Sequence, residues 1–427
     1  MMKKPFFGLS KPRVIYPPSQ GAFPIPKSIP TPGRVTLLID GALSFVDKDV
    51  LKKGDAVKTG QKVLLSKESG GYAISSVTGT VSDISVFEGD FGKIYVAVSI
   101  DSAKAEQLDD QFTAVAAEPS LQTALDFLQT APGKPPLSML SNLEKTIETL
   151  VIYAEDKDLL ITTNRYIATS RFSSLTKGID MLKKISGIDD IIVVTPRDRI
   201  QSYGEIGAKV RAVDTAYPAA NPQNIMNQVL GKAVPVGKAP EDLGVVFFSA
   251  ESVAALGDAF ETGRVPVNKI ITVIHKDGSQ TLVEARIGTP IRNVLAACGE
   301  TLSDMDRLIV GGPMTGNAIY SEEHPVQPDT DAVMLQDKAD VPFVSDYPCI
   351  NCGECVRVCP AKMPVNMLVR FLEAGVYQTA ADEYDLYSCI ECGLCSYVCV
   401  AKIPIFQYIR LAKFALSQVQ TAEEQND

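Results

Sequence analysis

The sequence predicts an α/β protein of several domains that ends in a small helical domain rich in cysteine. Three observations support this prediction. The chain has 427 residues, of which 45% are hydrophobic, and this is enough for three or four separate cores. Strand and helix patterns alternate between residues 120 and 262, which is typical of a mainly parallel sheet covered on both faces. Towards the C-terminus, one spacing of four cysteines occurs twice.

The chain begins with residues 1–33, which are rich in proline and lysine. Proline supplies no backbone donor, so this segment is predicted to run as an extended arm over another domain or subunit. Residues 34–105 then alternate short strands with glycine turns, for example at 35–39 and 76–81. The pattern resembles the barrel-sandwich hybrid of lipoyl and biotinyl carriers, which present a lysine at a hairpin tip. Here the tip is Val77-Thr78-Gly79, so the module is predicted to be structural.

Two further domains are predicted before the cysteines. Residues 115–264 are predicted to form the α/β domain, with buried strands at 149–153, 191–195 and 244–248. Residues 265–330 show a β-β-α-β order, which fits a small β-grasp-like domain. The sequence contains no run of 18 apolar residues and therefore predicts no segment that spans a bilayer. A net charge of −10 argues against a nucleic-acid partner.

The repeated cysteine spacing is C-x2-C-x2-C-x3-C. It is the ligand spacing of bacterial ferredoxins with two [4Fe–4S] clusters, in which the fourth cysteine of each run ligates the other cluster. The first predicted ligand set is Cys349, Cys352, Cys355 and Cys399. The second predicted set is Cys389, Cys392, Cys395 and Cys359. These sets define an α-helical, ferredoxin-like domain at 340–418, and a disordered tail is predicted at 419–427.

Two other chemistries use cysteines in groups of this size. Zinc sites usually combine two C-x2-4-C pairs across a longer loop, which is not the spacing found here. Disulfides are not expected, because the sequence shows no signal peptide and its features are those of a protein from a reducing compartment. The ninth cysteine, Cys298, lies in an apolar run and is predicted to be a buried small hydrophobe.

The duplication extends beyond the cysteines. At the same offset of 40 residues, Lys362 matches Lys402 and Arg370 matches Arg410. Each half therefore predicts a ligand loop followed by a helix. The two lysines either tune a cluster and dock an acidic carrier, or are solvated residues of a first helical turn.

The order of these domains resembles the C subunit of the Rnf electron-transport complex. The stretches I-G-T-P at 287–290, G-G-P-M-T-G at 311–316 and C-I-E-C-G at 389–393 carry the resemblance, which covers nearly the whole chain. The α/β domain is also similar to the flavin-binding subunit of respiratory complex I. In both families, this domain typically holds FMN and takes hydride from NADH.

The chain departs from these families at four places around the implied flavin site. The glycine-rich loop G-G-A-G-F-P-T is replaced by A-P-G-K-P-P-L at 131–137, and proline removes backbone donors that nucleotide phosphates need. Residues 153–159 and 217–223 lose the family's N-G-A-E-C-E-P and Y-P-x-G-G-E-K stretches, and the asparagine of a fourth stretch is absent. FMN is therefore not expected, and Asp156 and Asp158 are predicted to be solvated acids of a turn.

The resemblance implies an electron-transfer subunit of a membrane-bound, ion-translocating Rnf-type complex. It would relay single electrons through two [4Fe–4S] clusters, with its NAD site lost, and whether it is itself an enzyme stays open. Expected partners are other Rnf-type subunits, including a ferredoxin-interacting iron–sulfur subunit and membrane subunits, and a cytochrome as terminal acceptor. The expected location is the cytoplasmic face of the cell membrane, as a peripheral protein.

Two alternatives remain open. The chain could be an FMN-dependent NADH dehydrogenase subunit of a conventional Rnf complex, or a flavoprotein similar to cobalamin reductase. It could also be an assembly subunit whose clusters only hold the fold.

Overall fold

The structure is a computed structural model that describes residues 14–16, 23–67 and 71–424. Within these residues it contains thirteen α-helices, three sheets and one separate two-stranded ribbon. The first strand, β1 (Lys27–Ser28), belongs to the N-terminal arm. No helix of the described part combines the length and the apolar character needed to cross a membrane.

The first sheet and the ribbon form the N-terminal module. Its strands are β2 (Arg34–Asp40), β3 (Ala56–Val57), β4 (Lys62–Leu64), β5 (Tyr72–Ile74), β6 (Gly79–Glu88) and β7 (Ile94–Ser102). The sheet is antiparallel in the order β2-β7-β6-β3, and β4 pairs with β5 in the ribbon. Val35, Leu37 and Ile39 are buried at alternate positions of β2, as expected where one face of a sheet covers a core.

The predicted strand at 76–81 is wrong in its first half, because the chain leaves strand geometry between β5 and β6. Ser75 Oγ donates a hydrogen bond to the Val77 carbonyl oxygen (2.7 Å). Ser76 Oγ donates to the carbonyl oxygen of Ile287, which belongs to a later domain. These local and long-range side-chain bonds replace strand pairing, and Val77 is buried at the tip.

The α/β domain follows. Its elements are α1 (Gln111–Ala116), α2 (Leu121–Leu128), α3 (Ser138–Ser141), β8 (Thr149–Tyr153), α4 (Thr163–Ser170), α5 (Phe172–Ser186), β9 (Ile191–Pro196), β10 (Lys209–Val213), α6 (Pro222–Gln228), β11 (Val245–Ser249) and α7 (Ala250–Thr262). The sheet is wholly parallel in the order β10-β9-β8-β11. Leu150 and Ile152 pack towards α4, α5 and α7, whereas Val151 and Tyr153 pack towards α6. Because the chain winds both ways from β8, the carboxyl ends of β8 and β11 border the crevice where such sheets bind ligands.

The third sheet has six strands. Its further elements are β12 (Asn268–Ile274), β13 (Gln280–Arg286), α8 (Ile291–Ala297), β14 (Arg307–Val310), β15 (Asn317–Ile319) and β16 (Ala332–Gln336). The strand order is β1-β13-β12-β16-β14-β15, and α8 packs Ile291, Val294 and Leu295 into the core beneath it. The arm therefore contributes one strand to this sheet, parallel to β13. Residues 1–13 and 17–22 of the predicted arm lie outside the described residues.

The C-terminal domain consists of short helices around the cysteine runs. They are α9 (Glu354–Val358), α10 (Val365–Glu373), α11 (Tyr377–Glu383), α12 (Leu394–Val398) and α13 (Ile405–Glu424). Leu368, Val369 and Ile409 are fully buried where α10 and α13 share one core. Helix α13 continues to Glu424, well into the tail predicted to be disordered, because each residue added to an existing helix gains a hydrogen bond.

Candidate metal centres and the nucleotide pocket

Both cysteine runs adopt the same backbone conformation. Asn351 and Glu391 have left-handed φ values of 56° and 53°, and Gly353 and Gly393 follow at 74°. Two left-handed residues so close together curl each loop back on itself before α9 and α12 begin. Glycine meets the second left-handed position without steric cost, which explains the Gly in both copies of the repeat.

The first group of thiols combines three cysteines of the first run with one of the second. Cys349, Cys352, Cys355 and Cys399 line one small cavity. Cys352 is exposed, whereas Cys355 is buried. Burial and, to a smaller extent, the nearby Cys349 raise the pKa of the Cys355 thiol to about 11. A group of this kind holds its thiols neutral unless a cation compensates their charge.

The second group combines three cysteines of the second run with one of the first. Burial and, to a smaller extent, the thiols of Cys389 and Cys359 raise the pKa of Cys392 to about 12. Burial also raises the pKa of Cys395, a partly exposed thiol, and the same two neighbours and Cys392 contribute to the increase. Cys359 therefore lies with the second run, not with its own.

The eight predicted ligands thus come together as two sets of four, with the membership that crossed ligation predicts. Four thiolates are the donor set that a [4Fe–4S] cubane takes, so the residues fit this group. A single ion needs ligands that converge on one point, and within the described residues no group of three or more His, Cys, Asp or Glu side chains does so. The role of the eight cysteines as cluster ligands stays a prediction.

The second ligand loop is held from outside through its backbone. Lys413 Nζ donates to the Cys389 carbonyl oxygen (2.8 Å), and Tyr217 Oη donates to that of Cys392 (2.7 Å). Asn221 Nδ2 donates to the carbonyl oxygen of the residue between them in the loop, Ile390 (3.1 Å). Two of the three donors belong to the α/β domain, so this domain fixes the position of the second loop.

The G-G-P-M stretch of the third sheet touches the same loop. A Cβ on Gly393 would lie 2.4 Å from the Met314 carbonyl oxygen, so only glycine fits there. Asp158 holds the other side of this stretch, since its carboxylate accepts hydrogen bonds from Thr315 N and Thr315 Oγ1, both at 2.7 Å. The prediction that Asp158 is solvated is wrong.

The prediction for Asp156 is wrong as well, because its side chain is fully buried at the end of β8. Its carboxylate accepts from Asn164 N (2.8 Å) and Arg165 Nε (3.2 Å). Arg165 Nε also lies 3.0 Å from Glu155 Oε1. The sequence showed only acids after a strand, and the compensating arginine on α4 could not be identified without the fold.

The N-terminus of α7 lies at the same edge of the sheet. Helix N-termini bind phosphates through free backbone N–H groups. Here Ser249, at the position of the lost asparagine, uses its Oγ to accept from Ser252 N (3.0 Å). Glu251 in the first turn is buried and pairs with Lys269. This helix end is therefore capped by its own chain and carries a carboxylate.

The loop at 131–137 closes over this helix end. Gly133 has a left-handed φ of 78°, and a Cβ there would lie 2.5 Å from Ser252 N. The Gly133 N–H donates to the Pro328 carbonyl oxygen (2.7 Å). The backbones of Gly133 and Ser252 are thus in close contact, and the Gly133 donor is already used within the protein.

Some buried polar atoms near this crevice have no hydrogen-bond partner within the described residues. They are Asn164 Nδ2 and the Nε and Nη1 atoms of Arg199. Arg199 lies close enough to Glu155 to lower its pKa. Native structures rarely leave such groups unsatisfied, so this corner retains donors for water or a small ligand.

Three further residues for which the sequence suggested a role are Lys362, Lys402 and Cys298. Lys362 and Lys402 are both exposed, with left-handed φ values of 56° and 58°, and precede α10 and α13. Cys298, predicted to be a buried small hydrophobe, packs against the core of the third sheet at the end of α8 but is only partly buried.

The chain matches two protein-family models. The Nuo51 FMN-binding domain matches residues 135–258, and the 4Fe-4S dicluster domain matches residues 342–400. The first match begins after most of the altered loop at 131–137.

Curated relatives are C subunits of ion-translocating complexes. The chain is 30% identical over 226 residues to that of the ion-translocating oxidoreductase complex of Pseudomonas aeruginosa, covering 51% of this chain and 29% of that protein. It is 27% identical to that of the proton-translocating ferredoxin:NAD(+) oxidoreductase complex of Clostridium ljungdahlii, over 84% of this chain and 82% of that protein. It is 26% identical to that of the ion-translocating oxidoreductase complex of Methanosarcina acetivorans, over 79% and 82%.

Proposed function

We propose that this chain, which belongs to the family of C subunits of Rnf-type ion-translocating oxidoreductase complexes, relays single electrons without a flavin of its own. The two groups of four thiols support the relay. A [4Fe–4S] cluster bound by each group would supply one-electron chemistry. The chain's own residues supply the thiolates, hold the second loop through Lys413, Asn221 and Tyr217, and bury Cys392 away from water.

The loss of the flavin rests mainly on the capped end of α7. A phosphate there would have to displace the Ser249 cap and the Gly133 backbone. Each charge-assisted hydrogen bond that a phosphate cannot make forfeits about 1.5–3 kcal/mol. A few such losses weaken binding by orders of magnitude.

We also propose the finer domain assignments. The tip at Val77 is buried against the third sheet, which supports a structural barrel-sandwich module at 34–105. The order β13-β12-β16-β14-β15 with α8 between β13 and β14 supports a β-grasp-like domain that begins near residue 265, but β16 (Ala332–Gln336) extends it beyond the predicted end at 330.

The proposed setting is a membrane-bound complex. The chain would sit as a peripheral subunit at the cytoplasmic face, held by a ferredoxin-interacting iron–sulfur subunit and by membrane subunits. Without NAD chemistry, the complex needs another terminal acceptor, such as a cytochrome or a membrane-soluble carrier.

One observation favours the alternative, an FMN-dependent NADH dehydrogenase subunit or a flavoprotein similar to cobalamin reductase. The unpartnered donors of Arg199 and Asn164 are a natural place for an anion. The match to an FMN-binding domain model and the NAD(+) in the name of the Clostridium relative point the same way.

Spectroscopy of the anaerobically purified protein separates the two. We expect about eight iron and eight sulfide per chain, no flavin released by acid, and no binding of FMN at micromolar concentrations. Dithionite should bleach the clusters, which shows that they are competent, whereas NADH should not. Micromolar binding of FMN, or bleaching by NADH, would make the alternative the better assignment.

A further inference from the structure

The two ligand loops differ in how their surroundings hold them. In the second loop, the carbonyl oxygens of Cys389, Ile390 and Cys392 each accept a hydrogen bond from a side chain elsewhere in the fold. In the first loop, the contact is made to a side chain and not to a carbonyl group: Asn366 Nδ2 of α10 donates to Asn351 Oδ1 (2.7 Å). The backbone conformations are the same, so the difference comes from the surrounding residues.

The charges around the two loops differ as well. In the second half, Lys413 Nζ lies 2.8 Å from Glu391 Oε1, and Arg410 Nε lies 4.0 Å from Glu391 Oε2. These three side chains leave one net positive charge beside the loop.

The same positions of the first half, 40 residues earlier, carry Asn351, Arg370 and Glu373, which sum to no net charge. Glu373 lies on the exposed side of α10, at the position where α13 has Lys413. Glu354 and Arg357, a pair that the second half lacks, also sum to no net charge. The repeat therefore reverses a charge at one helical position.

We propose that Lys413 is a positioning residue that makes the second cluster the easier of the two to reduce. The proposal rests on the proposed function, since it assumes that both thiol groups hold clusters. Reduction adds one negative charge to a cluster. The Lys413 ammonium stabilises that charge because it is bound to the Cys389 carbonyl oxygen (2.8 Å) and is only partly exposed to solvent. Burial of the second loop acts in the opposite direction, so the effect of Lys413 must be measured against a variant with the same burial.

The proposal implies a direction of electron transfer between the two groups. The first group has the exposed thiol, Cys352, and the second lies against the α/β domain. A higher potential at the second group would draw electrons inward from the exposed group.

The test is a redox titration of the protein with both clusters in place, followed by electron paramagnetic resonance. Wild type should show two midpoint potentials, one for each cluster. In Lys413→Gln, the higher midpoint potential should fall by about 59 mV, which is a tenfold change in the equilibrium constant of a one-electron reduction, while the lower midpoint potential stays unchanged. Lys413→Arg keeps the charge and should retain most of the wild-type difference. A fall of the lower midpoint alone, an equal fall of both, or no change would overturn the proposal.

A second variant covers the case in which Lys413→Gln fails to assemble clusters. Glu373→Lys changes an exposed residue and adds the missing cation to the first half, so the lower midpoint should rise towards the higher one. If it does not move, the proposal is wrong. Iron and sulfide content is measured in parallel: protein without clusters contradicts the proposed function, whereas two clusters with unmoved midpoints contradict only the role of Lys413.

Discussion

At the scale of single residues, Arg165 compensates two buried acids that follow β8. Its guanidinium contacts both Glu155 (3.0 Å) and Asp156 (3.2 Å), and all three side chains are almost inaccessible to solvent. Removing one partner of a buried ion pair leaves an uncompensated charge and costs about 3–5 kcal/mol. We expect Arg165→Met to lower the free energy of unfolding by about that amount in a denaturant titration.

The matched control for this variant is Arg171→Met. Arg171 pairs with Glu284 at 3.1 Å, but both side chains are partly exposed. Such pairs contribute about 1 kcal/mol or less. Equal losses in the two variants would contradict the view that burial makes the Arg165 network costly to break.

Glu155 gives the same domain a pH dependence. Burial raises its pKa to about 7 from the ordinary value of 4.5. The folded state then binds the proton more tightly than the unfolded chain, so this contribution to stability is complete below pH 4.5 and is lost as the pH rises through 7. We expect the Tm of wild type to fall relative to that of Glu155→Gln across this range. If the Tm values of the two proteins change with pH in the same way, the raised pKa of Glu155 is contradicted.

At the scale of elements, the two cysteine runs exchange their fourth thiol. We expect Cys399→Ser to disturb the same cluster as Cys355→Ser, because both thiols line one cavity. Cys359→Ser should resemble Cys395→Ser, because Cys359 lies with the second group. Electron paramagnetic resonance of the four reduced variants sorts them into pairs. Pairing by position in the sequence, with Cys359 beside Cys355, would show that ligation is not crossed.

The sequence predicted those elements that depend on residues close together in the chain. The predicted strand at 149–153 matches β8 (Thr149–Tyr153), since five apolar residues in a row are enough for a strand buried on both faces. The cysteine sets were predictable because cluster ligation repeats a fixed spacing. Asp156 and Asp158 were misjudged because their partners, Arg165 and Thr315, belong to other elements, and only the fold brings them together.

At the scale of the whole molecule, one small core joins three parts of the chain. Tyr16 of the arm packs edge-to-face on Tyr217 of the α/β domain, with ring centroids 5.8 Å apart. Cys392 and Leu394 of the C-terminal domain are buried in the same cluster of side chains. The α/β domain therefore supports the second ligand loop.

This arrangement predicts that a hydrogen bond from the α/β domain controls how firmly the second group holds its metal. Tyr217→Phe leaves the buried Cys392 carbonyl oxygen without its 2.7 Å donor, which costs about 1–3 kcal/mol. We expect the variant to release iron to a chelator several-fold faster than wild type, because the loop opens more often. Tyr72→Phe is the matched control, since it removes a hydrogen bond of similar length, from Tyr72 Oη to the Leu125 carbonyl oxygen (2.8 Å), between the N-terminal module and α2, and it should leave the rate unchanged. If both variants lose iron at the wild-type rate, the α/β domain does not stabilise the second ligand loop, and its contact with the C-terminal domain has another purpose.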